Sequence, residues 1–263
     1  MAPSTVRLTQ RAEVIVDELL KHEYVSVETL TKRFGVSAAT IRKDLERLEG
    51  KGLLRRVHGG AMMVEPLMYE AFRRRQDFHE NEEKYIEEKR QIALAAAQLI
   101  VDGDTIALTG GTTATQVARS IRPGRKITVI TNALNIAMEL SNREGIHIFV
   151  PGGFLKGSMF SLAGMNGIRS ISEFMIDKVF IGVNGLHVER GLTTMDVEHA
   201  AIHRALIQQA DCKICVADHT KFGQLHTALV CPIEEIDYLV TDNASPKEAI
   251  AALENKGIQI ILA

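Results

Sequence analysis

The stretch Val36-Ser-Ala-Ala-Thr-Ile-Arg-Lys-Asp-Leu-Glu-Arg-Leu-Glu-Gly-Lys-Gly-Leu-Leu-Arg-Arg-Val-His-Gly-Gly-Ala61 decides the fold of the N-terminal part. Ser37 is a good N-cap, because its hydroxyl can accept an amide of the first helical turn. Ile41, Leu45 and Leu48 recur at i, i+4 and i+7, one apolar stripe. At about 100° per residue, Ala39 and Lys43 point directly away from that stripe. Thr40 and Arg47 flank them on one side and Arg42 on the other. The exposed face therefore begins with small residues and turns basic. Small residues let a helix approach the floor of the major groove, and Arg and Lys reach base edges and phosphates. Gly50 and Gly52 stop the helix, Leu53 to Val57 predicts a strand, and His58-Gly59-Gly60 predicts a turn. The candidate contacts to double-stranded DNA are Ser37, Ala39, Thr40, Arg42, Lys43 and Arg47 on the helix, with Arg55, Arg56 and His58 on the wing.

The residues upstream complete the unit. Leu8, Ala12, Ile15 and Leu19 predict one amphipathic helix. Val27, Leu30 and Phe34 predict a second, short one capped by Ser26, and Gly35-Val36 is the turn into the recognition helix. Together these make a winged helix-turn-helix.

Composition supports DNA binding confined to this head. The net charge of −2 argues against nucleic acid for the chain as a whole. Its distribution is uneven: residues 1–60 carry 11 Lys/Arg against 8 Asp/Glu, and the remainder carries 20 against 25. A mildly basic head on an acidic body results. No apolar run approaches the roughly 20 residues that span a bilayer, and Met1-Ala-Pro-Ser-Thr-Val-Arg7 has no signal-peptide core. A cytoplasmic protein without a membrane partner is expected. Three cysteines do not make a disulfide scaffold. Cys212 and Cys215 match C-x-x-C but fall inside what reads as a buried strand, so core cysteines are expected there rather than a redox or zinc site.

Residues 62–80 read as a joint containing Arg73-Arg74-Arg75, and from Asn81 the pattern becomes alternating helices and strands. A single long helix is expected over Asn81 to Ile100. Strands are expected near 105–109, 127–131, 146–150, 178–183, 213–217, 238–241 and 259–262, with helices between them. Interleaving of this kind implies a mainly parallel sheet covered on both faces.

In such sheets ligands bind at the carboxyl ends of the strands. Thr109-Gly-Gly-Thr-Thr-Ala-Thr115 sits at the first end. Its glycines let amides approach an anion, Thr112, Thr113 and Thr115 add hydroxyls, and the next helix presents its positive terminus. The loop lacks the Lys and spacing of a nucleotide P-loop, which disfavours a nucleoside triphosphate. The other ends carry Thr131-Asn132, Gly152-Gly153 with Lys156, Asn184-Gly185, and Asp218 with Lys221, while Glu198 follows in a loop. The candidate effector site is therefore Gly110, Gly111, Thr112, Thr113, Thr115, Thr131, Asn132, Gly152, Gly153, Lys156, Asn184, Gly185, Glu198 and Lys221. This mixture suits a phosphorylated polyhydroxylated molecule. His199 and His203, at i and i+4, could hold a metal, but the order is not H-E-x-x-H, and ligand-facing or surface histidines are expected instead. No metal and no cofactor are expected.

On these residues the chain resembles the DeoR family of sugar-responsive bacterial transcription regulators. In the head the matching residues are Val36-Ser37, Thr40 to Leu45, Leu48, Gly52 and His58 to Ala61. In the second part they are Gly111 to Thr113, Thr131-Asn132, Gly152-Gly153, Gly182, Asn184-Gly185, Glu198, Asp218 and Lys221. The resemblance covers almost the whole chain. It implies an α/β fold: a winged helix-turn-helix at 1–61, a linker at 62–80, and at 81–263 a Rossmann-like sensor and oligomerisation domain resembling ribose-5-phosphate isomerase. It also implies a sugar phosphate on the Gly110 to Thr115 loop, a homo-oligomer (dimer or tetramer) on operator DNA, and repression relieved by effector. Thr109 departs from the family, where Asp is common. Isomerase activity is not carried over, because the Asn184 strand end lacks the acidic cluster of those enzymes. Two rivals remain at this point: an active sugar-phosphate isomerase or deaminase with a DNA-binding head, and a metal or redox switch on the cysteines and histidines.

Overall fold

The computed structural model describes residues 8–22, 24–50, 53–63, 76–156 and 160–263. The head runs α1 (Leu8–His22), β1 (Tyr24–Ser26), α2 (Val27–Phe34), α3 (Ala38–Gly50), β2 (Leu54–Val57) and β3 (Gly60–Met63). Ser26 caps α2 by accepting the Thr29 amide at 3.0 Å, and Gly35 ends it at φ 62°, where a Cβ would be strained. Ile15 and Leu19 of α1, Leu30 of α2, Ile41 and Leu45 of α3 and Leu54 of β2 form a fully buried core. Each such side chain stabilises the fold by about 1.5–3 kcal/mol relative to its exposed state. The three strands pair antiparallel in the order β1-β3-β2. At Gly60 a Cβ would lie 2.1 Å from the Val25 carbonyl oxygen, so β1 and β3 approach this closely only over glycine. Arg73 to Arg75 lie outside the described residues.

The second part opens with α4 (Gln76–Glu83) and α5 (Ile86–Ala97) rather than one helix over 81–100. Tyr85 breaks it: the residue sits at φ 54°, and its ring meets the His219 ring edge-on at 5.0 Å. Lys89, in the first turn of α5, donates its ammonium to the carbonyls of Asn81 and Lys84 and so satisfies the end of α4.

Seven strands follow: β4 (Thr105–Leu108), β5 (Ile127–Thr131), β6 (Ile146–Phe149), β9 (Ile176–Gly182), β12 (Ala210–Val216), β14 (Tyr238–Thr241) and β15 (Gln259–Leu262). They are all parallel, in the order β15-β14-β12-β9-β4-β5-β6. Helix α5 packs on one face with α6 (Thr112–Ser120) and α7 (Leu134–Leu140). The other face carries α8 (Met165–Ile171), α9 (Val197–Gln208) and α10 (Lys247–Asn255). Burial on both faces explains why the central strands read as continuous apolar runs such as Val179-Phe180-Ile181.

Two additions were not anticipated. A hairpin of β7 (Phe154–Lys156) and β8 (Ser161–Ala163) follows β6, and a small antiparallel sheet joins β10 (Gly185–His187), β11 (Gly191–Thr194) and β13 (Ala228–Cys231). The hairpin is tied to the carboxyl end of β5 through Asn132 and Ala133, whereas the small sheet leaves the end of β9 and packs against the face that carries α9.

Candidate DNA interface and effector site

In the head, Ser37 accepts the Thr40 amide at 3.2 Å and starts α3. Ile41, Leu45 and Leu48 face inward; Ala39, Arg42, Lys43 and Arg47 are exposed, and Thr40 is half-buried beside the Ser37 hydroxyl. Asp44 also faces inward, a position the apolar stripe did not single out. It accepts Nε of Arg11 at 2.8 Å and Nη2 of Arg11 at 3.3 Å, with both side chains under a tenth exposed. A carboxylate between Ile41 and Leu48 on the inner face was the available signal, since a buried charge calls for a partner. On the wing, Arg55 and His58 are exposed, and Arg56 is held by Glu49 of α3.

In the second part, the end of β4 is stitched to the end of β9, because Thr109 Oγ1 accepts the Gly182 amide at 2.9 Å. Gly110 lies under the β7–β8 hairpin: a Cβ there would stand 2.5 Å from Ser161 Oγ. Gly111, at φ 132°, caps α6 without a side chain, leaving the first amides of that helix for an outside acceptor. Thr112 is half-exposed beside them and Thr113 is buried. Thr115 is turned inward, donating to the Gly111 carbonyl at 2.9 Å and accepting from Asn135 Nδ2 at 2.8 Å. Its hydroxyl shapes the loop.

The neighbouring strand ends are similarly knitted. Thr131 Oγ1 accepts the Ala133 amide at 3.1 Å. Asn132 Nδ2 donates to the Leu162 carbonyl at 3.0 Å, holding the hairpin down, and its buried Oδ1 has no hydrogen-bond partner. Gly152 is exposed. At Gly153 a Cβ would stand 2.4 Å from the Ala163 carbonyl oxygen, and the residue has φ 143°, so the hairpin can form only over glycine here. Asn184 Oδ1 accepts the Thr194 hydroxyl at 2.7 Å, and Gly185 packs beneath the Gln224 carbonyl.

Charged groups gather around Lys156 and around Asp218. Lys156 of the hairpin pairs with Asp196 at 2.7 Å and with Glu198. Asp196 in turn caps α9 by accepting the amides of Glu198 and His199. Burial opposes ionisation of Asp196, but Lys156 and the His199 amide outweigh it and bring its pKa down to about 2. At the end of β12, Asp218 is fully buried; Oδ1 accepts from Thr220, and Oδ2 has no hydrogen-bond partner. Lys221 is half-buried one turn on, its amide bonded to the Asp218 carbonyl at 3.0 Å. Burial pulls Lys89 down to about 8, with the Asp218 charge opposing the shift and Lys221 reinforcing it. Ser161 and Lys89 were not foreseen. Lys89 was visible only as a cation three residues before Ile92, on the buried face of its helix.

Residues 11–66 match the model of the DeoR-like helix-turn-helix domain, and residues 84–243 match that of the DeoR C terminal sensor domain. The chain belongs to the DeoR family. It is a DNA-binding transcription regulator. It is 35% identical to the transcriptional repressor AccR of Agrobacterium fabrum over 90% of this chain and 91% of the relative. It is 30% identical to the glycerol-3-phosphate regulon repressor of Escherichia coli over 98% of this chain and all of the relative. Among solved structures, ribose 5-phosphate isomerase A of Methanocaldococcus jannaschii aligns with a TM-score of 0.37 at 19% identity, over 51% of this chain and 53% of that one.

In this DeoR-family chain Cys215 and Cys231 are core residues and Cys212 is half-buried. Burial raises the thiols, Cys231 to about 12 and Cys215 further, so neither supplies a thiolate at neutral pH. His199 and His203 are both buried, which removes the surface alternative for them: α9 packs among β13, α8 and the parallel sheet, and most of its residues are covered. Among the described residues no group of three or more His, Cys, Asp or Glu could hold a metal ion. No helix among them is long and apolar enough to cross a membrane.

Proposed function

We propose that this regulator represses a carbohydrate-catabolism operon and that a phosphorylated sugar controls its hold on the operator. The observation that carries the reading is the Gly110 to Thr113 turn, where uncapped amides at the start of α6 meet the half-exposed Thr112 hydroxyl. Backbone amides and a helix N-terminus suit a phosphate. On this reading the carboxylates of Asp196 and Glu198 and the ammonium of Lys221 take the sugar hydroxyls. The name of the Escherichia coli relative, a glycerol-3-phosphate regulon repressor, supports a small phosphorylated polyol.

On this reading residues 1–61 bind operator DNA, 62–80 connect, and 81–263 sense the effector and assemble the chain into a dimer or tetramer in the cytoplasm. The effector binds one arrangement of the heads better than another and shifts the population away from the DNA-competent one. The test is a thermal-shift screen against a panel of pentose, hexose, amino-sugar and polyol phosphates, followed by DNA release with each hit. A ligand present at 100 times its Kd stabilises by about 2.7 kcal/mol. No shift with any sugar phosphate, alongside retained DNA binding, would remove the effector from the mechanism.

A further inference from the structure

Glu49 stands in the last turn of α3, and its carboxylate takes two donors of one wing residue. Oε1 accepts the Arg56 amide at 2.8 Å, and Oε2 accepts Arg56 Nε at 2.6 Å. The sheet explains why that amide is free. β2 is an edge strand, and its hairpin with β3 closes with Val57 opposite Gly60 across a two-residue turn. Antiparallel pairs alternate between those that exchange hydrogen bonds and those that do not. With Val57 and Gly60 bonded, Arg56 opposite Ala61 is not, and its N–H points out from the edge. Leu54, two residues before Arg56 and so on the same face of β2, is buried in the head core. That face is the one turned to α3. Glu49 therefore ties the recognition helix to both the backbone and the side chain of the wing.

The bond through Nε leaves the two terminal nitrogens of Arg56 as a rigid fork. The pair is open to solvent, with Arg56 43% and Glu49 35% exposed. An ion pair this exposed contributes little to folding. We infer that Glu49 is a positioning residue for DNA binding, fixing the wing against the recognition helix and presenting the Arg56 fork to one backbone phosphate in one orientation. Its negative charge repels phosphates that approach out of register. Glu49 thus raises discrimination between sequences more than raw affinity.

The test uses the full chain, a duplex that it enriches from a random-sequence pool, and a scrambled duplex of the same length and composition. For Glu49→Ala, affinity for the enriched duplex falls about tenfold, a coupling typical of residues in contact. Affinity for the scrambled duplex holds or rises. Melting temperature is unchanged. Glu49→Gln, whose amide oxygen still accepts one donor, falls between. The double variant Glu49→Ala with Arg56→Ala binds no worse than Arg56→Ala alone. Additive losses in that cycle, equal losses on both duplexes, or a fall in melting temperature that accounts for the weaker binding would each overturn the assignment.

Discussion

At the scale of single residues, two charged or polar positions carry opposite lessons. Asp44 and Arg11 form a buried pair across α3 and α1, and removing Asp44 takes a bidentate carboxylate from a guanidinium in the head core. Asp44→Ala should destabilise the head by about 3 kcal/mol, whereas pairing it with Arg11→Met should recover most of that loss, because an apolar pair needs no desolvation. Chemical denaturation of the three variants reads this directly; a double variant as unstable as the single one would show that the charge is not the cause. Thr112 and Thr113 carry polarity without such a structural duty. Replacing both by Val removes hydroxyl donors at nearly constant volume, and each lost hydrogen bond to a charged group costs about 1.5–3 kcal/mol. The pair should lower affinity for the active sugar phosphate by more than tenfold and leave DNA binding intact, as titration calorimetry and gel shift can establish. Native effector affinity in that variant would move the phosphate elsewhere.

At the scale of elements, the sequence was most legible where periodicity was long and local signals agreed. Ser37, the stripe Ile41-Leu45-Leu48 and Gly35 all pointed to α3, and the parallel strands announced themselves as apolar runs. The break at Tyr85 was not legible, because what bends the chain there is a contact with His219, more than a hundred residues away. The hairpin β7–β8 and the sheet of β10, β11 and β13 were missed because their strands run only three or four residues and lack a clear alternation. The same limit hid the burial of His203: the helix was foreseen, its inward face was not. That burial has a pH consequence. Desolvation lowers His203 to about 3, below its ordinary value near 6.5, so the unfolded chain binds a proton that the folded one refuses. Stability is therefore full above about pH 6.5 and declines as pH falls toward 3, by up to about 1.4 kcal/mol per unit from this group. Denaturation at pH 5 to 6.5, where carboxylates contribute least, should show a shallower slope for His203→Leu than for the native chain. Equal slopes would mean that His203 accepts its proton without unfolding.

At the scale of the whole molecule, head and sensor have separate cores but touch. Leu94 of α5 packs against the head core, and Asp17 of α1 stands 3.9 Å from Arg122 just after α6. Beside this contact lies a cavity of about 580 Å³ lined in part by Asp17, Gln91, Leu94, Gln98, Arg122 and Arg125. Among the described residues the contact includes one apolar side chain and one exposed ion pair, and a contact of that kind leaves a head free to be repositioned. The head offers one recognition helix, and one helix makes too few contacts for tight, selective binding. If the sensor assembles the chain, it supplies a second head at fixed spacing, and the second binding event becomes intramolecular. Residues 1–63, whose own core should keep them folded by circular dichroism, are then expected to bind a two-half-site operator at least about 100-fold more weakly than the full chain at the same salt. The isolated head should also ignore every sugar phosphate that releases the full chain, because the effector acts on spacing and not on the recognition helix. Equal affinity of head and full chain would take assembly out of the mechanism, and release of the isolated head by a sugar phosphate would place the effector on the wrong domain.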